Sequence, residues 1–86
     1  MDISVELTLT PLQDDFEPPI IEFIKRLRAS GVTIKENPLS TQAYGDYDTV
    51  MQLLVREAKT ALMGIEHGLL LIKIVKSDRS SYEPHF

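Results

Sequence analysis

The sequence predicts an α+β fold in which two helices cover one face of a four-stranded antiparallel sheet of strand order 4-1-3-2. The segment from Ile3 to Thr10 alternates apolar and polar residues, as a half-buried strand does. Two longer segments repeat apolar residues at helical spacing. The elements follow one another as strand, helix, strand, strand, helix, strand, which gives two strand-helix-strand crossovers.

The first strand and first helix are bounded by prolines. Pro11 ends the strand because it has no N–H to donate to a neighbour. Pro18 and Pro19 begin the helix, where a missing N–H has no intrahelical partner, and Asp15 or Glu17 is the expected cap. The apolar residues at helical spacing form its predicted buried stripe: Ile20, Phe23, Ile24 and Leu27.

The middle of the chain predicts two strands joined by a turn. Gly31 stops the first helix, and a short second strand covers 32–36. Asn37 and Pro38 are turn residues. The third strand is predicted from Leu39 to Tyr44 and closes at Gly45.

The second helix follows, with Asp46 or Asp48 as the expected cap and an end at His67 and Gly68. Its predicted buried stripe is Val50, Leu53, Leu54, Ala58, Ala61, Leu62 and Ile65. The polar residues Gln52, Arg56, Glu57 and Lys59 are expected to face water. The fourth strand is predicted over 69–76, and residues 77–86 read as a polar C-terminal tail, poorly ordered unless a partner holds it.

Two interleaved right-handed crossovers give the ferredoxin-like arrangement, with strands one and three in the centre. We therefore expect residues 1–76 to form one ferredoxin-like ligand-binding domain and residues 77–86 to form a tail. The predicted helix-facing residues are Ile3, Val5, Leu7, Leu9, Leu39, Thr41, Ala43, Leu70, Ile72 and Ile74. The predicted open-face residues are Ser4, Glu6, Thr8, Thr10, Ser40, Gln42, Tyr44, Leu69, Leu71, Lys73 and Val75. For the third strand the pattern leaves two facings open, because a one-residue slip would reverse its assignment.

The apolar residues on the open face predict self-association, at least as a dimer, since such strips usually mark interfaces. The net charge of −4 and scattered basic residues argue against nucleic-acid binding and mildly favour a cationic or neutral ligand. The N-terminus has no leader pattern, and the longest apolar run, Leu69 to Ile72, is far too short for a bilayer. We expect a soluble, cytoplasmic protein that does not bind membranes.

No motif indicates an enzyme or a metal site. The chain has no cysteine, and His67 and His85 stand without a second ligand at metal spacing. There is no glycine-rich phosphate loop, and no nucleophile stands beside a base. The sequence therefore predicts neither catalysis, a metal nor a cofactor.

Glu6 has two interpretations, because a carboxylate on a central strand must find a partner if its face becomes covered. It forms a cross-strand ion pair with Lys73, or it binds the cation or N–H edge of a ligand. Ser40 and Thr41 are either ordinary turn and strand residues or the polar groups that orient a small ligand. Tyr44 either packs or stacks on a flat heterocycle.

Several short strings resemble the YkoF-like thiamine-binding family over most of residues 3–79. They are the run from Leu7 to Leu12, Gly31-Val32, the run from Asn37 to Gly45, and Ile72-Lys73-Ile74 before Asp78-Arg79. The resemblance implies a ferredoxin-like fold, paired domains in tandem or as dimers and tetramers, and binding of thiamine or its hydroxymethylpyrimidine half without turnover. It would make Ser40 and Thr41 pocket residues. Many single-domain members have glycine at position 40 and an acidic residue at position 44, where this chain has Tyr44.

The sequence thus predicts a non-catalytic protein that binds a thiamine-like small molecule at or near a subunit interface of a homodimer or homotetramer. The predicted ligand-binding residues are Glu6, Thr8, Asn37, Ser40, Thr41 and Tyr44. One alternative is a self-association module, structural or regulatory, with no small ligand. The other is an enzyme acting on a small molecule.

Overall fold

A computed structural model describes residues 1–86 and confirms the predicted topology. The elements are β1 (Asp2–Pro11), α1 (Glu17–Arg28), β2 (Thr33–Glu36), β3 (Thr41–Asp46), α2 (Tyr47–Met63) and β4 (Gly68–Val75). The strands lie in the order β2-β3-β1-β4, and every neighbouring pair is antiparallel. This is the ferredoxin-like order 4-1-3-2 read from the opposite edge.

The core lies between the helices and the central strands. Alternation in β1 buries one side of that strand completely, and α1 and α2 close over it. The core side chains are Ile3, Val5, Leu7, Leu9, Phe23, Leu27, Ala43, Val50, Leu53, Leu54 and Ala61. The other side of the sheet carries no helix and is called the open face below.

The two helices begin differently. Asp46 caps α2, since its carboxylate accepts a hydrogen bond from the backbone N–H of Thr49 at 3.4 Å. The predicted cap of α1 is wrong, because Phe16 occupies the cap position and no side chain accepts a hydrogen bond there. A cap accepts from the second or third N–H of a helix, and Pro18 and Pro19 stand at those positions.

The polar face of α2 was predicted incorrectly at Glu57, which is buried rather than exposed. Arg26 of α1 donates from Nε to one Glu57 oxygen at 2.6 Å, and Arg56 donates to the other at 3.2 Å. The carboxylate therefore joins the two helices. Leu62, predicted to be buried, is exposed on another side of α2, and the helix ends earlier than predicted, at Met63.

The third strand begins at Thr41, two residues later than predicted. Asn37 is the cause, because its side-chain Oδ1 accepts the backbone N–H groups of Leu39 and Ser40 at 3.0 Å each. These N–H groups are held by the turn and cannot extend the ladder. Leu39, predicted to face the helices, is 85% exposed.

The helix-facing side of β4 is also less covered than predicted. Ile72 and Ile74 are 42% and 47% exposed, although they point toward the helix layer as expected from their register with Leu7 and Val5. The strand lies at the edge of the sheet, and α2 lies mainly over the central strands.

Residues 77–80, called the strap below, return from β4 onto the open face. Ser4 anchors them, because its Oγ donates to the Ser77 carbonyl at 2.7 Å and accepts the Arg79 N–H at 2.8 Å. Lys35 of β2 donates to the Ser80 carbonyl. The strap therefore crosses β1 and β3 and buries Ser4. No helix in the structure has the length and apolarity needed to cross a bilayer.

Candidate functional site

The centre of the open face holds a small hydrogen-bond network around Glu6. Ser40 Oγ donates to Glu6 Oε2 at 3.0 Å, and Gln42 Nε2 donates to Ser40 Oγ at 2.7 Å. Glu6 and Gln42 lie directly opposite each other on β1 and β3. The network joins the turn before β3 to the middle of the sheet and leaves Glu6 Oε1 without a hydrogen bond from the protein.

Lys73 stands opposite Glu6 on the other neighbouring strand, as predicted. The two side chains form no ion pair, since four ion pairs occur in the chain and none includes either residue. Both residues are exposed. Glu6 is thus a carboxylate whose position is set by a serine hydroxyl, with a separate cation across the strand.

A notch opens in the sheet beside Ser40. β1 continues to Pro11, but its pairing with β3 ends where Leu7 faces Thr41. Beyond that point the turn 37–40 passes beside β1, and α1 forms the floor. The resulting cleft has a volume of about 220 Å³ and is lined by Leu7, Thr8, Leu9, Ile20, Phe23, Ile24 and residues 37–41.

The backbone of Leu9 faces this notch. Tyr47 N–H donates to the Met1 carbonyl at 2.9 Å, which fixes the odd-numbered residues of β1 as those whose backbone groups point toward β3. Leu9 lies past the last paired residue, and no backbone hydrogen bond joins it to the turn. Its N–H and C=O are an adjacent donor and acceptor at the wall of a half-apolar cleft, and buried backbone groups rarely stay without partners.

The turn itself is well supported, which fixes Ser40. Asn37 holds the N–H groups of Leu39 and Ser40 through its side chain, and its own backbone N–H donates to the Ser40 carbonyl at 3.1 Å. Asn37 therefore acts on the site by shaping the turn. Thr41 lies beneath it, buried on the helix side of the sheet.

Tyr44 lies at the other end of the open face. It stands opposite Ser4, and Lys35 lies over its ring at 5.6 Å from the centroid. Together with the strap it borders a second depression of about 160 Å³, which also includes Glu6, Gln42, Lys73 and Arg79. Glu6 is thus the residue that lies between the notch and this depression.

Of the six predicted ligand-binding residues, the structure brings five together and separates one. Glu6, Thr8, Asn37, Ser40 and Thr41 gather around the notch and its rim. Tyr44 lies in β3 four residues after Ser40, about 13 Å away at the rise of an extended chain.

Sequence reasoning missed three features of the site, which are the free backbone of Leu9, the floor formed by Phe23 and Ile24, and Arg79. The alternation of β1 carried a signal for the position of Leu9, and the apolar stripe of α1 carried one for Phe23 and Ile24. Nothing in the tail sequence placed Arg79 over the sheet.

Hydrogen bonds within the strap shift the pKa of Asp78, which lies close to the site. Hydrogen bonds from Ser80, first from its side chain and then from its backbone N–H, hold the pKa of the Asp78 carboxyl below its usual value, and the charge of Lys35 acts in the same direction. Asp78 is therefore ionised at neutral pH and stabilises the strap turn.

Comparisons with solved structures agree with the fold and with the resemblance found in the sequence. A Thermotoga maritima protein, provisionally named a thiamine biosynthesis/salvage protein, superposes with a TM-score of 0.80 at 16% identity, over 90% of this chain and 85% of that one. A Streptococcus pneumoniae protein has a TM-score of 0.84 at 25% identity and covers 94% and 92%.

A Bacillus cereus structure, described as domain of unknown function DUF77, has a TM-score of 0.75 at 17% identity and covers 91% and 78%. These neighbours are consistent with the YkoF-like thiamine-binding family, and at these identities they establish the shared fold. No protein-family profile and no curated protein matches the chain.

Proposed function

We propose that this protein binds thiamine, or a molecule containing its hydroxymethylpyrimidine half, on the open face beside the notch, without converting it chemically. The observation that carries the proposal is the hydrogen bond from Ser40 to Glu6, which sets a carboxylate beside the notch on the uncovered side of the sheet. The name of the Thermotoga neighbour supports the same ligand class.

The notch suits the flat aminopyrimidine ring. Leu9 offers a backbone N–H and C=O side by side, and an aminopyrimidine edge carries a ring nitrogen acceptor next to an amino donor. The apolar floor of Phe23 and Ile24 provides contact for the ring. Small-ligand sites commonly combine an apolar pocket with a few fixed polar groups, and the notch has this composition.

Glu6 suits the cationic half of thiamine. The thiazolium ring carries a positive charge, and Glu6 Oε1 receives no hydrogen bond from the protein. The acidic protein, with a net charge of −4, also favours a cation at long range. A ligand with its pyrimidine in the notch would place its second ring along β1 toward Glu6.

The arrangement offers binding groups rather than reacting groups. Ser40 donates its proton to a carboxylate and accepts from the amide of Gln42, with no histidine or lysine beside it to activate it as a nucleophile. We therefore propose a binding role and not an enzyme, with thiamine as ligand and not as a cofactor for turnover.

We also propose that two copies associate through β4. Leu12 N–H donates to the His67 carbonyl at 2.8 Å, so the odd-numbered residues of β4 point their backbone groups toward β1. The backbone groups of Leu70, Ile72 and Ile74 consequently point away from the sheet. An edge strand with free backbone groups and apolar side chains is a template for pairing with another strand.

The side of α2 that lies farthest from α1 and nearest this edge also carries exposed apolar residues. Val55 is 70% exposed, and Leu62 lies seven residues later on the same stripe of α2. Thr60, on the opposite side of the helix, faces α1. Antiparallel pairing of β4 with the β4 of a second copy would bury both apolar surfaces. It would also give one continuous sheet of eight strands, four from each copy.

Sedimentation equilibrium tests the association. We expect a dimer or larger assembly at about 100 μM, and a monomer for Ile72→Lys, because one buried unpaired charge opposes the contact. Ile21→Lys, on the exposed side of α1, is the matched control and should leave the assembly intact. A monomeric wild-type protein would contradict this part of the proposal.

Isothermal titration tests the ligand. Thiamine and hydroxymethylpyrimidine should both release or absorb heat and raise the melting temperature, with thiamine the tighter because it alone has the cation. Absence of heat and of any thermal shift at millimolar ligand would overturn the proposed function. In that case an assembled protein without a ligand would favour the self-association module.

A further inference from the structure

We infer that the strap end of the open face binds phosphate, so that the ligand of this site is the phosphorylated form of the cationic heterocycle. This inference rests on the proposed function and names the ligand class more narrowly. The relevant surface is the 160 Å³ depression between Glu6 and the strap, called the strap depression below.

Two cations border the strap depression, and neither has a carboxylate partner. Lys73 lies across from Glu6 without an ion pair. Arg79 forms no ion pair either. This is notable because the protein has more acidic than basic residues, 13 against 9. In an acidic protein, two unpaired cations at one depression are available to an anion.

The guanidinium of Arg79 is partly oriented by the protein. Its Nε donates to Ser77 Oγ at 2.7 Å, and its backbone N–H is fixed on Ser4 Oγ. Its two terminal nitrogens form no hydrogen bond with the protein. A planar guanidinium with free terminal N–H groups suits the paired oxygens of a phosphate, and a lysine beside it adds a point charge.

The other charged groups around the strap depression leave a positive balance. Lys35 is held on the Ser80 carbonyl, and Asp78 is bound by Ser80 within the strap. Glu6 lies at the border of the strap depression nearer the notch, and its Oε2 is bound by Ser40. The free oxygen of Glu6 is therefore available to the cation of a ligand. Lys73 stands level with Glu6 on β4, and Arg79 lies farther along, where its backbone is held on Ser4.

The order of these groups matches the order of groups in a phosphorylated thiamine. Thr8 at the notch, Glu6 in the middle and Ser4 under the strap lie on one side of β1, over about 13 Å at the rise of an extended strand. Two joined aromatic rings followed by a phosphate ester need a site of this order of length. The pyrimidine would meet the notch, the thiazolium would meet Glu6, and the phosphate would meet Lys73 and Arg79.

Titration calorimetry at low salt with thiamine, thiamine monophosphate and thiamine diphosphate tests the inference. We expect the monophosphate to bind about fivefold more tightly than thiamine, the effect of two exposed charge contacts, and the difference to shrink as salt rises. In the variant Lys73→Gln with Arg79→Gln, the ratio of the two dissociation constants should fall to about one. The matched control, Lys25→Gln with Lys59→Gln, alters two exposed helix lysines and should keep the wild-type ratio.

Equal dissociation constants for thiamine and its phosphates would overturn the inference and leave the proposed function standing. A preference that survives the Lys73 and Arg79 substitutions would also overturn it. If no thiamine compound binds, inorganic pyrophosphate alone is titrated while the Arg79 Nε–H resonance is followed by NMR. A saturable shift would keep the anion site and reject the thiamine proposal, and no shift would reject both.

Discussion

Ser40 Oγ donates to Glu6 Oε2 across 3.0 Å, and this contact joins residues 34 positions apart in the chain. It depends on two independent local patterns. The alternation of β1 turns Glu6 to the open face, and the side chain of Asn37 ends the preceding turn so that Ser40 faces the same way. The position of the carboxylate is therefore a product of the turn as much as of the strand.

Replacing Ser40 with alanine should weaken thiamine binding about three- to tenfold, because a hydrogen bond of about 1 kcal/mol no longer orients the carboxylate. Titration calorimetry measures the change. Ser81→Ala, in the exposed tail, is the control and should bind as the wild type does. Unchanged affinity in Ser40→Ala would contradict a role for this hydroxyl.

Replacing Glu6 with glutamine should weaken the binding of thiamine and leave the binding of its pyrimidine half unchanged. We expect about threefold weaker binding of thiamine, since an exposed charge contact contributes up to about 1 kcal/mol, and little change for neutral hydroxymethylpyrimidine. Glu22→Gln removes an equal charge at an exposed position of α1, beside α2 and away from the open face, and serves as control. Equal losses for both ligands would show that Glu6 does not contact the cation.

The fold could be predicted from local patterns because they agree with one another. The alternation in β1, the proline start of α1 and the Asp46 cap of α2 each specify an element, and right-handed crossovers then leave one sheet order. The face assignment of the central strands is confirmed as well, since Glu6 lies on the open face between Gln42 and Lys73, both of which were assigned to that face.

The predictions that were wrong concern residues at which tertiary contacts override local sequence patterns. Glu57 looks solvent-facing by composition, yet it is buried because Arg26 approaches from another helix. Ile72 and Ile74 look buried by alternation, yet they lie at an edge that α2 does not cover. The notch could not be predicted, because it forms only where the Asn37 side chain accepts the N–H groups of Leu39 and Ser40, which a longer third strand would use for pairing.

Replacing Glu57 with alanine should lower the free energy of unfolding by about 1–3 kcal/mol, because Arg26 loses its partner at the helix interface. Urea denaturation followed by circular dichroism measures the change. Glu66→Ala, at an exposed position after α2, should change stability by less than about 0.5 kcal/mol. A similar effect of both substitutions would show that the helix-joining carboxylate contributes little.

Acidification should release the strap only at a pH below the usual pKa of an aspartate. The hydrogen bonds from Ser80 lower the pKa of Asp78 in the folded protein, so its contribution is present above the unfolded pKa and is lost as pH falls through the lower, folded value. Amide chemical shifts of Ser80 and Arg79, followed from pH 6 downward, report the transition. A midpoint at or above the usual aspartate pKa of about 3.9 would contradict the assignment.

The central claim is that a small ligand occupies the open face beside the notch, and amide chemical-shift mapping during a thiamine titration tests it most directly. We expect saturable shifts at Leu9, Ser40 and Glu6, and none on the outer side of α1. Shifts confined to the helices, or no shift at millimolar thiamine, would contradict the claim.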